Sequence, residues 1–312
     1  MKTLITGSKG FYGTHLCHEL ESNGYEVIRT DLAEGDGIVV MDILDQNMVQ
    51  NVIEKYQPDV LVNMAGQANV NLSWKKPQLT VELNTVGVIN VLEAVRNVNP
   101  KIRIITIGSS DEYGSLKNTG MNVTENIPVK PITPYAISKQ AQELFTKLYV
   151  DVFNMDCCMV RQFNLGGAGQ TKGFLIPDFA SNIVEIEMGK KEYMSVGNLS
   201  SARDFLHVKD ACRAIRLIIE KGHTGEIYNV CSGRTFKVQE ILERLINMAK
   251  IPITVKQDPE RLRPSDTPVI CGNHDKLTSH TGWQPEFSIE DILKDTLHYW
   301  RRIIVDQTDA IE

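Results

Sequence analysis

The sequence lacks an excess of positive charge. Its 312 residues carry 33 Lys and Arg against 39 Asp and Glu, a net charge of −6. Chains that bind nucleic acid broadly show a basic footprint, so this balance argues against a nucleic-acid partner. A few local arginines can still hold the phosphates of a small anionic ligand. The chain also lacks any run of about twenty apolar residues, the length a membrane-spanning helix needs, and no membrane contact is expected. Cys-x-x-Cys pairs are absent too. Cys17, Cys157, Cys158, Cys212, Cys231 and Cys271 fit neither a zinc spacing nor a secreted disulfide framework. They read as reduced thiols buried as small hydrophobes, so no metal and a cytoplasmic location are expected. Thr and Gly interrupt the first apolar stretch at once, so no signal peptide is expected. Internal repeats and low-complexity tracts are missing as well.

What is present is ordinary globular composition, 42% hydrophobic and 23% charged. The length suits one large domain or two closely joined ones, with a core that needs no disulfide or metal staple. Short apolar runs alternate with longer amphipathic ones. Strands are predicted over Met1–Thr6, Tyr25–Thr30, Ile38–Met41, Asp59–Asn63, Arg103–Ile107 and Cys157–Arg161. Helices are predicted over Tyr12–Ser22, Gln46–Tyr56, Val81–Val98 and Tyr135–Phe153. This alternation predicts an α/β fold, a Rossmann-type doubly wound parallel sheet with helices on both faces. After Arg161 the regularity falls. Helices are expected over Pro177–Met188, Val208–Lys221, Val238–Ala249 and Ile289–Arg302, and strands over Tyr193–Val196 and Glu226–Val230. The Pro- and Arg-rich Asp258–Pro268 reads as a loop, and Val305–Glu312 as a frayed tail. The expected division is a nucleotide-binding domain over about residues 1–165, to which about 205–231 return. A smaller C-terminal α/β substrate-binding cap covers about 166–204 and 232–302, and 303–312 form a tail.

Gly7-Ser8-Lys9-Gly10-Phe11-Tyr12-Gly13 joins the first strand to the first helix. Glycines there permit a tight turn, close approach of a pyrophosphate and close helix–strand contact. The helix N-terminus adds free N–H groups and a positive dipole end. G-x-x-G-x-x-G is one residue longer than the usual dinucleotide fingerprint, and the alternative is a plain turn. Its place right after the first strand makes Gly7, Lys9, Gly10, Phe11, Tyr12 and Gly13 candidate cofactor residues. Asp31 ends the second strand, where a carboxylate would take the adenosine ribose hydroxyls of NAD(H); a helix or turn cap is its plainer role. Arg29 and Lys9 could instead meet the 2′-phosphate of NADP(H), so both cofactors stay open. Asp42 and Ile43 are placed to line an adenine, and Ala65-Gly66 leaves room for the middle of the cofactor.

Tyr135 and Lys139 are one helical turn apart on one face. A free tyrosine, with a pKa of about 10, is a poor acid–base group at neutral pH, and a nearby ammonium favours its phenolate. An exposed i,i+4 pair is the plainer alternative. Pro134, which fits a helix start, and the position between the fifth and sixth strands favour a site. The fifth strand runs into Gly108-Ser109-Ser110-Asp111-Glu112-Tyr113-Gly114, and ligands of such sheets bind beyond the carboxyl ends of strands. The Ser109 hydroxyl can accept from the tyrosine and donate to a carbonyl. Ser110 and Asp111 are candidate substrate contacts, while Glu112 is assigned only to solvent or a cap.

The glycine loop, Ser109-Ser110-Asp111, Tyr135-x-x-x-Lys139 and Arg203-Asp204-Phe205 resemble the extended short-chain dehydrogenase/reductase family. Within it they resemble the NAD-dependent nucleotide-sugar epimerases, dehydratases and reductases, over about residues 1–302. The resemblance implies a catalytic Ser109, Tyr135 and Lys139, with Asn84 maintaining the site. Arg161-Gln-Phe-Asn164, Gly173–Phe179, Gly197–Phe205, Tyr228–Gly233, Arg261–Asp266 and Thr281–Pro285 narrow it to the reductases of GDP-4-keto-6-deoxy-D-mannose. That implies a GDP-linked 4-keto-6-deoxy sugar, with Asn164, Arg203 and Arg263 at the diphosphate; two arginines can clamp a pyrophosphate bidentately. The related 4,6-dehydratases carry Glu where this chain has Asp111, and the shorter arm weakens that alternative without removing it. A 4-epimerase with tightly held NAD stays open, and a non-catalytic relative is disfavoured by the intact triad. The resemblance also implies a homodimer through the helices at Val81–Val98 and Tyr135–Phe153. Val88, Val91, Leu92 and Val95 would suit such an interface or, equally, the core.

Overall fold

The computed structural model of the protein describes residues 1–114, 122–258 and 269–309. The first half alternates β1 (Lys2–Thr6), α1 (Phe11–Ser22), β2 (Glu26–Asp31), β3 (Ile38–Val40), α2 (Gln46–Tyr56) and β4 (Val60–Asn63). It continues through α3 (Val70–Lys75), α4 (Pro77–Val81), a π-helical turn (Glu82–Val86), α5 (Gly87–Val98) and β5 (Arg103–Ser109). A 3₁₀ turn (Ser110–Tyr113), α6 (Pro134–Phe153) and β6 (Cys157–Gln162) complete it. The second half comprises β7 (Asn164–Gly166), α7 (Leu175–Glu187), β8 (Met194–Val196), β9 (Ala202–His207), α8 (Val208–Lys221) and β10 (Ile227–Val230). Then come β11 (Thr235–Lys237), α9 (Val238–Asn247), β12 (Val255–Gln257), β13 (Val269–Ile270), α10 (Asp275–Thr281) and α11 (Ile289–Asp309).

Seven parallel strands form the main sheet in the order β10-β6-β5-β4-β1-β2-β3. The order reverses between β1 and β4, which opens the crevice where such sheets take ligands. Because strand side chains alternate between faces, neighbouring apolar residues serve two cores. Ile5, Val62, Ile105 and Cys158 meet α1 and α8 through Leu16, Leu20, Ile215 and Ile219. Leu4, Leu61, Ile104 and Cys157 meet α2, α5 and α6 through Ile53, Leu92 and Tyr149. Two-sided burial is what makes these strands read as continuous apolar runs. A third core joins α7, α9 and α11 through Ile183, Leu245, Leu293 and Leu297. Around it lie a small sheet of β11, β9 and β13, with β7 paired to β9, and a β8–β12 pair.

The helix expected over Val81–Val98 is broken: α4 ends at Val81, and a π turn carries the chain into α5. Val88, Val91, Leu92 and Val95 are fully buried in the core of the chain itself. The helix expected to end at Arg302 continues through Asp309, where a frayed tail was expected. Of the loop expected at Asp258–Pro268 only Asp258 is described. The strands β7, β9, β11, β12 and β13 had no counterpart in the sequence reading. Four of them run only two or three residues, and the six-residue β9 buries Asp204 in its middle, so no apolar alternation marks them. All six cysteines are free thiols, five of them buried. Among the described residues no helix is long and apolar enough to cross a membrane.

Candidate active site

The site grows from the carboxyl ends of β1, β4 and β5. Gly7 takes a left-handed φ of +66°, and a Cβ at Gly13 would collide with the Gly7 carbonyl, so α1 starts hard against the loop. Ala65 closes the crevice opposite, its N–H donating to Thr6 Oγ1 at 2.9 Å. Among the described residues the buried Ser8 hydroxyl inside the loop has no hydrogen-bond partner. A glycine cradle at a helix N-terminus, with an unsatisfied hydroxyl beside it, fits a pyrophosphate. Asp31 accepts from the Lys9 N–H at 3.0 Å and the Ala33 N–H at 3.1 Å, which fixes its carboxylate at the rim of the loop. Arg29 is held bidentately by Glu21, Nε to Oε1 at 3.1 Å and Nη2 to Oε2 at 2.7 Å, and Lys9 Nζ donates to Glu34 O at 2.7 Å. Both cations that could greet a 2′-phosphate are thus engaged elsewhere.

The other proposed cofactor residues are less uniform. Tyr12 turns its hydroxyl to Gln162 Oε1 at 2.9 Å, and Phe11 packs edge-on against His15. Asp42 caps Leu44 N–H at 2.9 Å. The Ile43 side chain is buried in the core against Gly87, and its carbonyl accepts from Asn90 Nδ2 at 2.9 Å.

Ser109, Tyr135 and Lys139 come together, all buried. Thr133 caps α6 by accepting from the Ala136 N–H, and Pro134 occupies the first turn, where its missing N–H costs nothing. That start fixes Tyr135 beside Ser109, to which it is hydrogen-bonded. Burial, reinforced by the charge of Asp111, pushes the Tyr135 phenol well above its ordinary range. Lys139 donates to Ile107 O at 2.7 Å and to Gln142 Oε1 at 3.1 Å, and burial lowers it to about 8. The π turn swings Asn84 inward. Its amide bonds the Gln67 backbone at both ends, at 2.8 and 2.9 Å, and Ser138 Oγ at 3.0 Å. Wide single turns of this kind recur at functional sites. Ser110 is buried beside Ser109.

Glu112 is fully buried, and its Oε1 accepts from the Ser109 N–H at 2.6 Å. Ser109 Oγ in turn accepts from the Asp111 N–H at 3.1 Å, closing a capping box. Solvent is therefore ruled out for Glu112.

In the second half, Asn164 on β7 is exposed and donates to Asp204 O at 3.2 Å. Arg203 is half-buried on β9, with Nη1 donating to Ala202 O at 2.8 Å. Arg263 lies outside the described residues. Asp204, read from the sequence only as the middle of the Arg203-Asp204-Phe205 motif, was given no role there. Its fully buried carboxylate accepts from Ser232 N–H and Oγ at 2.9 and 2.6 Å, Gly233 N–H at 3.0 Å and Gly272 N–H at 3.1 Å. Burial still raises it to about 6. The sequence signal was its place inside the Arg203-Asp204-Phe205 motif.

Comparison with known proteins agrees with this architecture. The family model for GDP-mannose 4,6-dehydratase matches residues 4–296. GDP-6-deoxy-D-mannose reductase from Pseudomonas aeruginosa is 30% identical over 96% of this chain and 97% of its own. GDP-6-deoxy-D-talose 4-dehydrogenase from Aggregatibacter actinomycetemcomitans is also 30% identical, over 95% of this chain and 96% of its own. The structure of RMD from P. aeruginosa complexed with NADPH superposes with a TM-score of 0.89 at 28% identity, covering 97% and 99% of the two chains.

Proposed function

Because this chain belongs to the GDP-mannose 4,6-dehydratase family, among the extended short-chain dehydrogenases/reductases, we propose that it is an NAD(P)H-dependent reductase. Its substrate is GDP-4-keto-6-deoxy-D-mannose, and its product is GDP-D-rhamnose. The observation that carries this reading is the buried Tyr135 hydroxyl bonded to Ser109, a proton donor for a ketone oxygen, with Asp111 near it in place of the Glu that the family resemblance assigns to the dehydratases.

The glycine cradle, Ala65 and Asp31 would hold the dinucleotide, and Lys139 its nicotinamide ribose. When bound, the reduced nicotinamide supplies the hydride that C4 receives. Ser109 polarises the C4 carbonyl by donating its hydroxyl hydrogen, since its oxygen already accepts from the Asp111 N–H. Tyr135 gives its proton to the C4 oxygen as negative charge develops there, so the ketone gains one hydride and one proton. Lys139, charged below about pH 8, stabilises the phenolate left behind. Asn164, Arg203 and Arg263 would bind the diphosphate.

A second product is favoured by the equal identity to the talose enzyme. GDP-6-deoxy-D-talose would form if hydride reached the other face of C4. Self-association would use the exposed apolar stripe of α6, Ile137, Leu144, Leu148 and Val152, whose spacing keeps one helix face. The deciding experiment supplies GDP-4-keto-6-deoxy-D-mannose with NADH or NADPH, follows nicotinamide oxidation and identifies the sugar. Oxidation of the nicotinamide with GDP-D-rhamnose formed supports the reading. Its absence with both cofactors overturns it.

A further inference from the structure

Asp204 lies where β9 meets the ends of two strands of the main sheet. Those strands, β6 and β10, are neighbours in it. The chain leaving β6 becomes β7, which pairs with β9, and there Asn164 Nδ2 donates to Asp204 O at 3.2 Å. The chain leaving β10 turns at Ser232-Gly233. Three donors of that turn reach the Asp204 carboxylate, Ser232 N–H at 2.9 Å, Ser232 Oγ at 2.6 Å and Gly233 N–H at 3.0 Å. The fourth donor is the Gly272 N–H at 3.1 Å, just past β13, which pairs with β9 at Ala202 and Arg203. Gly272 comes this close because it has no Cβ; one would collide with Cys231 Sγ and with the Phe163 ring.

A carboxylate suits this place as no other side chain does. It accepts at both oxygens, about two hydrogen bonds at each, and donates none. An asparagine would turn its own N–H groups toward two of the donors, and an apolar side chain would orphan all four. Strand pairing already joins β9 to β7, β11 and β13. What the carboxylate adds is register, since it fixes where β9 stands along the ends of β6 and β10. Successive strand residues point to opposite faces, so Arg203 faces away from this junction while Asp204 faces into it. The same residue thus holds Asn164 through its carbonyl and the strand of Arg203 through its carboxylate.

We propose that Asp204 is a positioning residue for the substrate, setting the spacing of Asn164 and Arg203 at the diphosphate by locking β9 to the ends of β6 and β10. The inference rests on the GDP-linked substrate of the reading above. Asp204 itself touches no ligand, because its carboxylate is fully buried and its oxygens are taken by the two turns.

The test uses Asp204→Asn, which keeps the shape and sets N–H groups against two of the four donors. Two probes need no keto sugar: GDP and NADPH, each titrated by calorimetry on both chains, well below the Tm of either. The Kd for GDP is expected to rise about tenfold while the Kd for NADPH stays within about twofold, because the glycine cradle belongs to β1 and α1. With the keto sugar, KM should rise with the GDP Kd and kcat stay within about threefold, since Ser109 and Tyr135 stand on β5 and α6. A GDP Kd unchanged by Asp204→Asn, or GDP and NADPH binding weakened alike, overturns the positioning role however far Tm falls. Should Asp204→Asn not fold, Ser232→Ala decides. It removes one donor and leaves the carboxylate, so GDP should bind about threefold more weakly with NADPH unmoved, and an unmoved GDP Kd there contradicts the proposal. An intact protein that binds no GDP removes the GDP-sugar reading and the proposal with it. Equal GDP affinity in the two chains removes the proposal alone.

Discussion

The β5–α6 corner and the β9 strand both bury carboxylates, and they satisfy them by opposite means. At the corner, two carboxylates meet two cations, and among the described residues both Glu112 oxygens and the Lys139 ammonium are left without an ionic hydrogen bond. At β9, Asp204 faces four neutral donors from two separate segments and no cation among its hydrogen-bond partners. The first arrangement leaves groups poised to change protonation. The second ties the turns after β10 and β13 to β9. Strongly perturbed groups gather at functional sites, although structural networks perturb them too. Here the two cases stand in one molecule.

Breaking each region should therefore damage a different property. The largest effect is expected from Asp204→Ala, which orphans four donors at about 1–3 kcal/mol each. Thermal unfolding should shift down by on the order of 10 °C or more, and an unchanged Tm would show that β9 is no clamp. Next in size, Lys139→Met should lower kcat by about 10²–10⁴-fold with Tm held or raised, because a buried ammonium opposes folding. A loss of Tm matching that of Asp204→Ala would erase the contrast.

The pH dependence sharpens the contrast further. Lys139 is lowered to about 8 from 10.5, so kcat should fall as pH rises through about 8. Stability should move the other way. Between about 8 and 10.5 the unfolded chain binds the extra proton, and the contribution of Lys139 to stability rises with pH. Parallel kcat and unfolding profiles across that window would test both signs. A smaller effect is expected at the cofactor rim. Asp31→Asn removes the charge that would repel a 2′-phosphate, so the ratio of kcat/KM for NADPH to that for NADH should rise about tenfold. No change in that ratio would remove Asp31 from cofactor choice. Smallest in kcat but clear by light scattering, Leu148→Glu should turn the dimer proposed through the α6 stripe into a monomer. A mass that does not move would place any self-association elsewhere.

Much of the seven-stranded sheet and its helices was legible because their signals are local. Gln46–Tyr56 and Val208–Lys221 form helices with the expected bounds, and Tyr135 and Lys139 lie on one face of α6. The π turn was not legible. It adds one residue to a turn and leaves the apolar spacing over Val88–Val95 intact. Glu112 was half legible: Ser109-x-x-Glu112 is the spacing of a capping box, and the cap is there, but nothing local says that the carboxylate is buried. Asp204 and its strand were not legible, because the groups that satisfy the carboxylate lie 28 and 68 residues away. Asn164 sits opposite Phe205 and donates to Asp204 O through the pairing of β7 with β9, which only the fold supplies.

Tyr135→Phe tests the central claim most directly, because it removes one oxygen and leaves the ring in its buried seat. With GDP-4-keto-6-deoxy-D-mannose, kcat should fall by about 10²–10⁴-fold while the Kd for the reduced nicotinamide cofactor stays within about twofold, since the proton is lost and the cradle is untouched. Turnover near that of the intact protein, with cofactor binding equally unchanged, would contradict Tyr135 as the proton donor.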